Sequence, residues 1–281
     1  MLLSIIASGK NDGYAGNFME RLQFNIEKLN DNLKKMNVND VEIIVVDWSS
    51  SERLSDVINT ENFEFTKFLY VNPEVAKIAS PDNGFSSVHA LNSGVRRSKG
   101  RYVFFIDGDS YLSLHTTTKL YELCVDLDKK SEEAYFWATR YHLPYEIHSN
   151  CKTILELDSH IDNWLENNKQ GWSHQKIDIN RVRGPMGLML SRKYVNETTC
   201  YYEKLNKWGY VEIEFSERVR PRIPCNGDLE DLDMFFFHLD HHSIGKLGKE
   251  GKANPHHKAP SFKANGDEWG LINENLEFYK V

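Results

Sequence analysis

Residues 101–110 read RYVFFIDGDS, and this stretch decides the fold that the sequence predicts. Tyr102–Ile106 is an unbroken run of aromatic and β-branched residues, which is typical of a strand buried on both faces of a sheet. The run leads directly into Asp107-Gly108-Asp109, so two carboxylates stand at the end of the strand with a glycine between them. Glycine has no Cβ, and this lets backbone and ligand approach closely at that point.

The two aspartates indicate a cation site. In an open α/β sheet, ligands bind beyond the carboxyl ends of the strands. Mg²⁺ and Mn²⁺ commonly take one or two carboxylates together with phosphate oxygens. We therefore interpret Asp107 and Asp109 as ligands of Mn²⁺ or Mg²⁺ at a diphosphate site, with Gly108 against the diphosphate. A plain surface turn after a strand is the alternative. A calcium-binding loop is disfavoured, because Leu112 stands where such a loop needs glycine.

Strands and helices alternate along the first 110 residues. Apolar runs predict strands, and apolar residues at helical spacing predict helices. The predicted strands are Leu2–Ala7, Val41–Val46, Phe65–Val71 and Tyr102–Ile106, and the predicted helices cover about 17–35 and 84–97. This order predicts an α/β fold with a mostly parallel, doubly wound sheet and helices on both faces.

The pattern becomes less regular after Asp109. We predict helices over 112–127, 154–164, 228–239 and 268–279, a strand over 134–138 and a loop over 143–148. The helix over 228–239 would begin with acidic residues, which suits a helix N-terminus. It would then deliver a run of histidines that begins at His238.

Composition excludes several classes of protein. The chain has 281 residues and a formal net charge of −7, so no broad basic surface for nucleic acid is expected. Its four cysteines are widely spaced and are expected to be reduced thiols rather than zinc ligands or disulfides. No apolar stretch approaches the roughly 20 residues of a membrane helix. We expect a cytoplasmic protein without a transmembrane segment; peripheral association with a membrane stays open.

The segment that leads into Asp109 resembles a known enzyme family. Residues 90–94 read ALNSG, residues 98–100 read SKG, and the strand and the two aspartates follow. This run resembles that of GT-A glycosyltransferases, especially inverting family 2. The resemblance implies a GT-A fold with a nucleotide-sugar-binding half over 1–110 and an acceptor-binding, catalytic half over 111–281. It also places Asn92 near the donor. The arginine that the family often has beside this asparagine is Leu91 here.

Two earlier segments fit the same resemblance. Residues 45–50 read VVDWSS, and the family uses an acid in such a segment to bind uracil and ribose, which implies that role for Asp47. The loop that begins with Lys10 and contains Asp12 resembles the family's first-strand loop. This implies nucleotide contact by Asp12 and a place near the diphosphate for Lys10. A helix N-cap at Asp47 and a solvated turn at Lys10–Asp12 are the alternatives.

The catalytic base is expected in residues 208–218, which read WGYVEIEFSER. The segment resembles the family's Trp-Gly-acid motif, in which a carboxylate deprotonates the acceptor hydroxyl. The resemblance implies Glu212 as the base, or else Glu214, because the usual adjacent pair of acids is interrupted. Trp208 would offer a flat face to the sugar ring. Solvated glutamates on an amphipathic element and a core tryptophan are the alternatives.

Many GT-A enzymes complete the metal site with a C-terminal histidine. Residues 238–242 read HLDHH, and the resemblance implies His238 as the ligand, followed by His242 and then His241. A purely structural role for each histidine is the alternative.

Together these features predict a metal-dependent, inverting glycosyltransferase of the hexosyltransferase type. It would use Mn²⁺ or Mg²⁺ and transfer a sugar from a nucleotide-sugar, a UDP-sugar by the resemblance, to a hydroxyl of a glycan acceptor. Cell-surface polysaccharide synthesis would be its setting. The alternatives are a nucleotidyltransferase and a catalytically inactive glycan-binding domain.

Overall fold

The computed structural model describes residues 1–13, 16–82, 84–168, 174–175, 187–207, 209–241, 254 and 257–280. The strands are β1 (Leu3–Gly9), β2 (Val41–Trp48), β3 (Thr66–Val71), β4 (Tyr102–Ile106), β5 (Ser110–Leu112), β6 (Tyr135–Ala138), β7 (Arg140–Leu143), β8 (His174–Gln175), β9 (Gly187–Ser191), β10 (Gly227–Asp228), β11 (Phe236–Leu239) and β12 (Glu277–Lys280).

The helices are α1 (Phe18–Met36), α2 (Leu54–Val57), α3 (Pro73–Ala79), α4 (Ser87–Arg97), α5 (Leu114–Lys130), α6 (Tyr145–His148), α7 (Ile154–Asn168), α8 (Arg192–Thr198) and α9 (Val211–Val219), with a 3₁₀ turn at Leu229–Leu232. Among the described helices, none combines the length and the apolar character that crossing a bilayer requires.

Within the described residues, eight strands form one large sheet in the order β10-β6-β9-β4-β1-β2-β3-β12. The inner strands β3, β2, β1 and β4 run parallel, whereas β9 is antiparallel to both β4 and β6, and β12 is antiparallel to β3. The carboxyl ends of β1, β2 and β4 therefore meet at one edge. Asp107 follows β4 at this edge, and Asp47 lies near the end of β2.

The two faces of this sheet carry separate apolar clusters. Successive residues of a strand point to opposite faces, so Ile5 and Ala7 lie in one cluster and Ile6 lies in the other. Helices α1 and α5 cover the first face, and helices α4 and α9 cover the second. The predicted α/β fold with helices on both faces of the sheet is confirmed.

A second, smaller sheet has the order β5-β11-β7-β8. Along β7, Tyr141 and Leu143 are buried in a third apolar cluster, and the intervening residues are only partly buried. In the same register, His238 of β11 lies opposite Ser110 of β5 on one side and His142 of β7 on the other. Because cross-strand pairs share a face, His142 and His238 stand side by side.

Three predictions about the second half of the chain are wrong. The predicted helix over 228–239 is the 3₁₀ turn followed by β11, because Asp233 adopts a left-handed conformation (φ 64°) that ends the turn. Phe236 and Phe237 then pack into different clusters on opposite faces, as strand residues do. The predicted C-terminal helix is a series of turns followed by β12. The predicted loop over 143–148 contains the one-turn helix α6.

Gly94 sets how closely α4 approaches the sheet. A Cβ at this position would lie 2.8 Å from Val46 Cγ2 and 2.9 Å from Ile6 Cγ2. We expect Gly94→Val to lower the free energy of unfolding by about 1–3 kcal/mol, the usual cost of overpacking a core. Chemical denaturation measures this change. Gly266→Ala is the matched control, because a Cβ at Gly266 would meet no atom within 4 Å. Equal stabilities of the two variants would contradict this packing.

Candidate functional site

The Asp107–Asp109 loop is held from beneath by α1 and β1. The Asn25 amide nitrogen donates hydrogen bonds to the backbone oxygens of Asp107 (3.1 Å) and Gly108 (3.2 Å). A Cβ at Gly108 would lie only 2.9 Å from the Ser8 carbonyl oxygen. Glycine is therefore needed here for a close approach of two protein segments, and the loop has a fixed position relative to the sheet edge.

Asp109 is a buried carboxylate between two cationic side chains. Its Oδ2 lies 3.4 Å from Arg21 Nε of α1 and 3.4 Å from His238 Nε2 of β11. The Arg21 side chain is 0% exposed. Burial alone would raise the pKa of Asp109, but His238 and Arg21 hold that pKa well below its usual range. Asp109 is therefore ionised at neutral pH.

Histidines gather around Asp109. Ligand atoms of Asp109, His238 and His241 all lie within 4.8 Å of one another. A second group with the same property is formed by His142, His238 and Asp240. Burial alone would lower the pKa of His238, but the Asp109 and Asp240 carboxylates raise it to about 9. The protonated imidazole therefore stabilises the negative charge of Asp109.

Asp107 faces a different partner. Its carboxylate is 41% exposed and accepts a hydrogen bond from Arg140 Nη2 at 2.5 Å. Burial alone would lower the pKa of Arg140, but Asp107 and Asp109 raise it, so the guanidinium is charged. Glu212 also acts electrostatically on Arg140, so this arginine connects the aspartate pair with helix α9.

Helix α9 separates the two glutamates that the sequence left as alternatives. Residues two positions apart on a helix lie about 200° apart around its axis. Glu212 is partly buried and within electrostatic reach of Asp107 and Arg140. Desolvation raises the pKa of Glu212, and the Asp107 carboxylate acts in the same direction. Glu214 points elsewhere, and its side chain is 0% exposed.

The Glu214 carboxylate is fully engaged within the fold. Its Oε1 accepts hydrogen bonds from Arg218 Nε (2.7 Å) and from the Ala259 amide (3.2 Å), and its Oε2 accepts one from Arg218 Nη2 (3.2 Å). Arg218 in turn donates to the carbonyl oxygens of Cys200 and Phe262. Glu214 therefore has structural contacts, whereas Glu212 is the glutamate of α9 that interacts electrostatically with Asp107 and Arg140.

The donor set around Asp109 fits a divalent cation. Two ligands of one ion, each about 2.1 Å from it, lie roughly 3.0–3.4 Å apart. The observed 3.4 Å between Asp109 Oδ2 and His238 Nε2 is close to that separation. One carboxylate and two imidazoles are suitable ligands for a transition-metal ion. Asp107 is not part of this group, and its carboxylate is bound by Arg140.

Other predicted residues have structural partners. Asp47 is buried, and its two oxygens accept hydrogen bonds from the amides of Ser50 (3.1 Å) and Leu54 (2.9 Å), so it holds the loop after β2. Asn92 is buried in α4, where its amide nitrogen donates to the Tyr201 carbonyl oxygen and to Glu203 Oε1. The side-chain contacts of Asp47 and Asn92 are thus within the protein, and neither residue belongs to the group around Asp109.

The remaining predicted residues lie near the sheet edge or outside the described part. Lys10 Nζ donates a hydrogen bond to the Gly84 carbonyl oxygen at 2.6 Å, which joins the loop after β1 to the segment before α4. Asp12 is exposed on the same loop. Trp208 and His242 lie outside the described residues.

The sequence reasoning missed Arg21, Arg140, His142 and Asp240. Arg21 had a detectable signal in the sequence, because it begins a stripe of polar side chains at helical spacing along α1. A polar helix face is usually solvated, whereas this stripe is buried. Its members are Arg21, Asn25, Lys28 and Asn32. Arg140 had no such signal. It contacts Asp107 only because β7 is paired with β11 in the second sheet.

Part of the chain matches a known protein family. Residues 17–134 match the model of a family described as glycosyltransferase like family 2. A search of curated proteins finds no significant match.

Solved structures of S. aureus TarS are similar to the chain. The structure of TarS 1–349 in complex with UDP has 15% sequence identity and a TM-score of 0.48, covering 78% of this chain and 54% of that one. Another structure of TarS 1–349 has 15% identity and a TM-score of 0.46, covering 77% of this chain and 54% of that one. The complex with UDP-GlcNAc has 14% identity and a TM-score of 0.43, covering 72% and 48%. The chain thus spans about half the length of these three TarS chains.

The two glutamates of α9 should differ in their effect on stability. Glu214→Gln removes the charge that pairs with the buried Arg218, so we expect the free energy of unfolding to fall by about 3–5 kcal/mol. Glu212→Gln is the matched control. Because the fold raises the pKa of Glu212, its ionised form is disfavoured, and the neutral glutamine should leave stability unchanged or increase it. Urea denaturation at neutral pH measures both changes. A larger loss in Glu212→Gln would contradict this assignment.

Proposed function

We propose that the chain is a glycosyltransferase of the family 2-like type that transfers a sugar from a UDP-sugar to a hydroxyl of a glycan acceptor, with a divalent cation and inversion at the anomeric carbon. The observation that supports this proposal is the grouping of Asp109, His238, Asp107 and Arg140 near the carboxyl end of β4, with Glu212 within electrostatic reach of Arg140. Ligands of open α/β sheets bind at this edge.

The cation would be held by Asp109, His238 and His241, which fit it in donor type and in spacing. When bound, a divalent cation supplies Lewis-acid stabilisation of the charge that develops on a departing diphosphate. Mn²⁺ is the favoured ion of the two predicted ones, because two of the three ligands are imidazoles and Mg²⁺ prefers oxygen ligands. Asp107 lies beside this group, and its carboxylate forms an ion pair with Arg140.

Arg140 provides a second positive charge for the diphosphate. A guanidinium binds phosphate oxygens through two parallel N–H donors, which a lysine ammonium cannot reproduce. Arg140 lies against Asp107, and its side chain is partly exposed. The role proposed for Arg140 is to bind the donor diphosphate and to stabilise the leaving nucleotide.

Glu212 is the proposed general base. Inversion requires a single carboxylate that takes the acceptor proton as the new bond forms on the side opposite the leaving group. Glu212 is the glutamate of α9 that faces Asp107 and Arg140, and its raised pKa brings it nearer to the working pH of a base. Glu214 has no part in this proposal.

The nucleotide would lie over the ends of β1 and β2. Lys10 and Asp12 stand on the loop after β1 and are the proposed contacts to the nucleotide. For Asp47 the proposed role is indirect, since its carboxylate shapes the Ser50–Leu54 loop against which a base could rest. Asn92 and Gly108 would support the site through packing rather than through contact with the donor.

Donor turnover tests the proposal. The protein is incubated with a panel of UDP- and GDP-sugars and Mn²⁺, and the release of free nucleotide is measured. We expect release from a UDP-sugar, its loss with EDTA, and a 10²- to 10⁴-fold lower rate in Glu212→Gln, the usual contribution of a general base. Release of pyrophosphate would identify a nucleotidyltransferase. Nucleotide-sugar binding without release would identify an inactive binding domain.

The pH profile tests the base independently of the absolute rate. Glu212 works only when ionised, and its raised pKa means that activity should fall as the pH decreases through a value above the ordinary glutamate range. Arg140 lowers this pKa and Asp107 raises it, so Arg140→Met should move the acid limb of kcat/KM to higher pH. An acid limb that stays in place in Arg140→Met would contradict the assignment of Glu212.

A further inference from the structure

The two nitrogens of His238 have different partners. Nε2 lies 3.4 Å from Asp109 Oδ2, and Nδ1 lies 3.1 Å from Asp240 Oδ1. The ring is nearly buried between the two carboxylates. A metal-binding histidine usually presents one nitrogen to the ion and donates the other N–H to a carboxylate, which fixes its tautomer and orientation. His238 has this arrangement, with Asp240 on the side away from Asp109.

Asp240 is itself held in place by backbone and side-chain contacts. Its amide donates to the Leu143 carbonyl oxygen at 2.9 Å, and its own carbonyl oxygen lies 2.7 Å from Nε2 of the buried His148. Its Oδ1 also lies 2.7 Å from Nδ1 of His142, the residue directly opposite His238 in the sheet. The Asp240 carboxylate therefore has a fixed position between the two imidazoles.

The group His142–His238–Asp240 also meets the spacing of a metal site, and this is the competing interpretation. The distances argue against it. Two ligands of one ion lie roughly 3.0–3.4 Å apart, whereas His142 Nδ1 and Asp240 Oδ1 are separated by 2.7 Å, a hydrogen-bond distance. In addition, His238 Nδ1 and His142 Nδ1 both lie close to the same oxygen, Asp240 Oδ1. These distances indicate that His142, His238 and Asp240 are hydrogen-bonded to one another rather than arranged around a metal ion.

We propose that Asp240 is a positioning residue that directs His238 Nε2 towards the cation bound by Asp109, with His142 hydrogen-bonded to the same oxygen of Asp240 to keep that carboxylate in place. The inference rests on the proposed cation dependence, which it deepens by naming the residues that orient one ligand. Asp240 does not contact the cation, and a single ion binds at this part of the site.

Direct binding of Mn²⁺ tests the inference without any turnover. Titration of the protein with Mn²⁺ alone, followed by electron paramagnetic resonance and calorimetry, gives the affinity and the stoichiometry. We expect one equivalent in the wild type and a 10- to 100-fold higher Kd in Asp240→Asn, the usual effect of losing such a partner. His142→Gln should weaken binding in the same direction but less, because it acts through Asp240.

Asp233→Asn is the matched control, since Asp233 also contacts a histidine, His115 (3.0 Å), but lies on the surface outside the site. It should bind Mn²⁺ like the wild type. Thermal unfolding without metal separates a positioning role from a folding role, because Asp240→Asn should still show an unfolding transition. Addition of Mn²⁺ should then raise the Tm of this variant, but by less than it raises the Tm of the wild type. Asp240→Glu, which keeps the carboxylate, should recover part of the affinity.

The outcomes are distinct. If the wild type binds one Mn²⁺ and Asp240→Asn binds it equally well, the positioning role is refuted while the proposed function stands. If the wild type binds two equivalents and both Asp240→Asn and His142→Gln lose one, the group is a second metal site and the inference is wrong. If the wild type binds no Mn²⁺, with or without UDP, the proposed cation dependence fails and the inference fails with it.

Discussion

The ionised carboxylate of Asp109 is buried at the end of β4, and the arrangement of the whole site depends on how its charge is compensated. An unpaired buried carboxylate would cost several kcal/mol. Here Arg21 approaches it from α1 and His238 approaches it from β11, each at 3.4 Å. These residues lie 88 and 129 positions away from Asp109 in the chain (109 − 21 and 238 − 109). The charge of one side chain therefore ties the first helix, the central strand and the second sheet together.

Helix α1 supports this arrangement along its length. Its polar stripe contacts the aspartate loop and the segment after it: Arg21 reaches Asp109, Asn25 binds two backbone oxygens, and Asn32 donates to the Leu112 carbonyl oxygen at 2.9 Å. Lys28 pairs with Asp158 of α7 at 2.5 Å. The hydrogen bonds of Asn25, Lys28 and Asn32 satisfy buried side-chain nitrogens that would otherwise destabilise the fold. Helix α1 thus packs against the core with its apolar face, and its polar stripe holds the aspartate loop in place.

Sequence patterns predicted the parallel half of the fold well and the second half poorly, for a physical reason. Tyr102–Ile106 is buried on both faces, and such a strand has a distinctive local composition. Phe235–Phe237 is also apolar, but whether it is helical or extended depends on the two clusters between which it lies. Those clusters come from distant segments. The same limit applies to the site, since Arg140 meets Asp107 through strand pairing that has no local signature.

The interrupted acidic pair on α9 shows how the fold gives different surroundings to two residues that the sequence spacing left equivalent. Glu212 and Glu214 are chemically equal in sequence, and on a helix they must face nearly opposite directions. Arg218 lies one turn beyond Glu214 and donates a hydrogen bond to the Glu214 carboxylate. It also donates hydrogen bonds to backbone carbonyl oxygens of two other segments. Because Arg218 is nearly buried, Glu214 cannot turn away from it without leaving a charge unpaired. The interior contact of one glutamate thereby fixes the helix rotation that presents the other glutamate to Asp107 and Arg140.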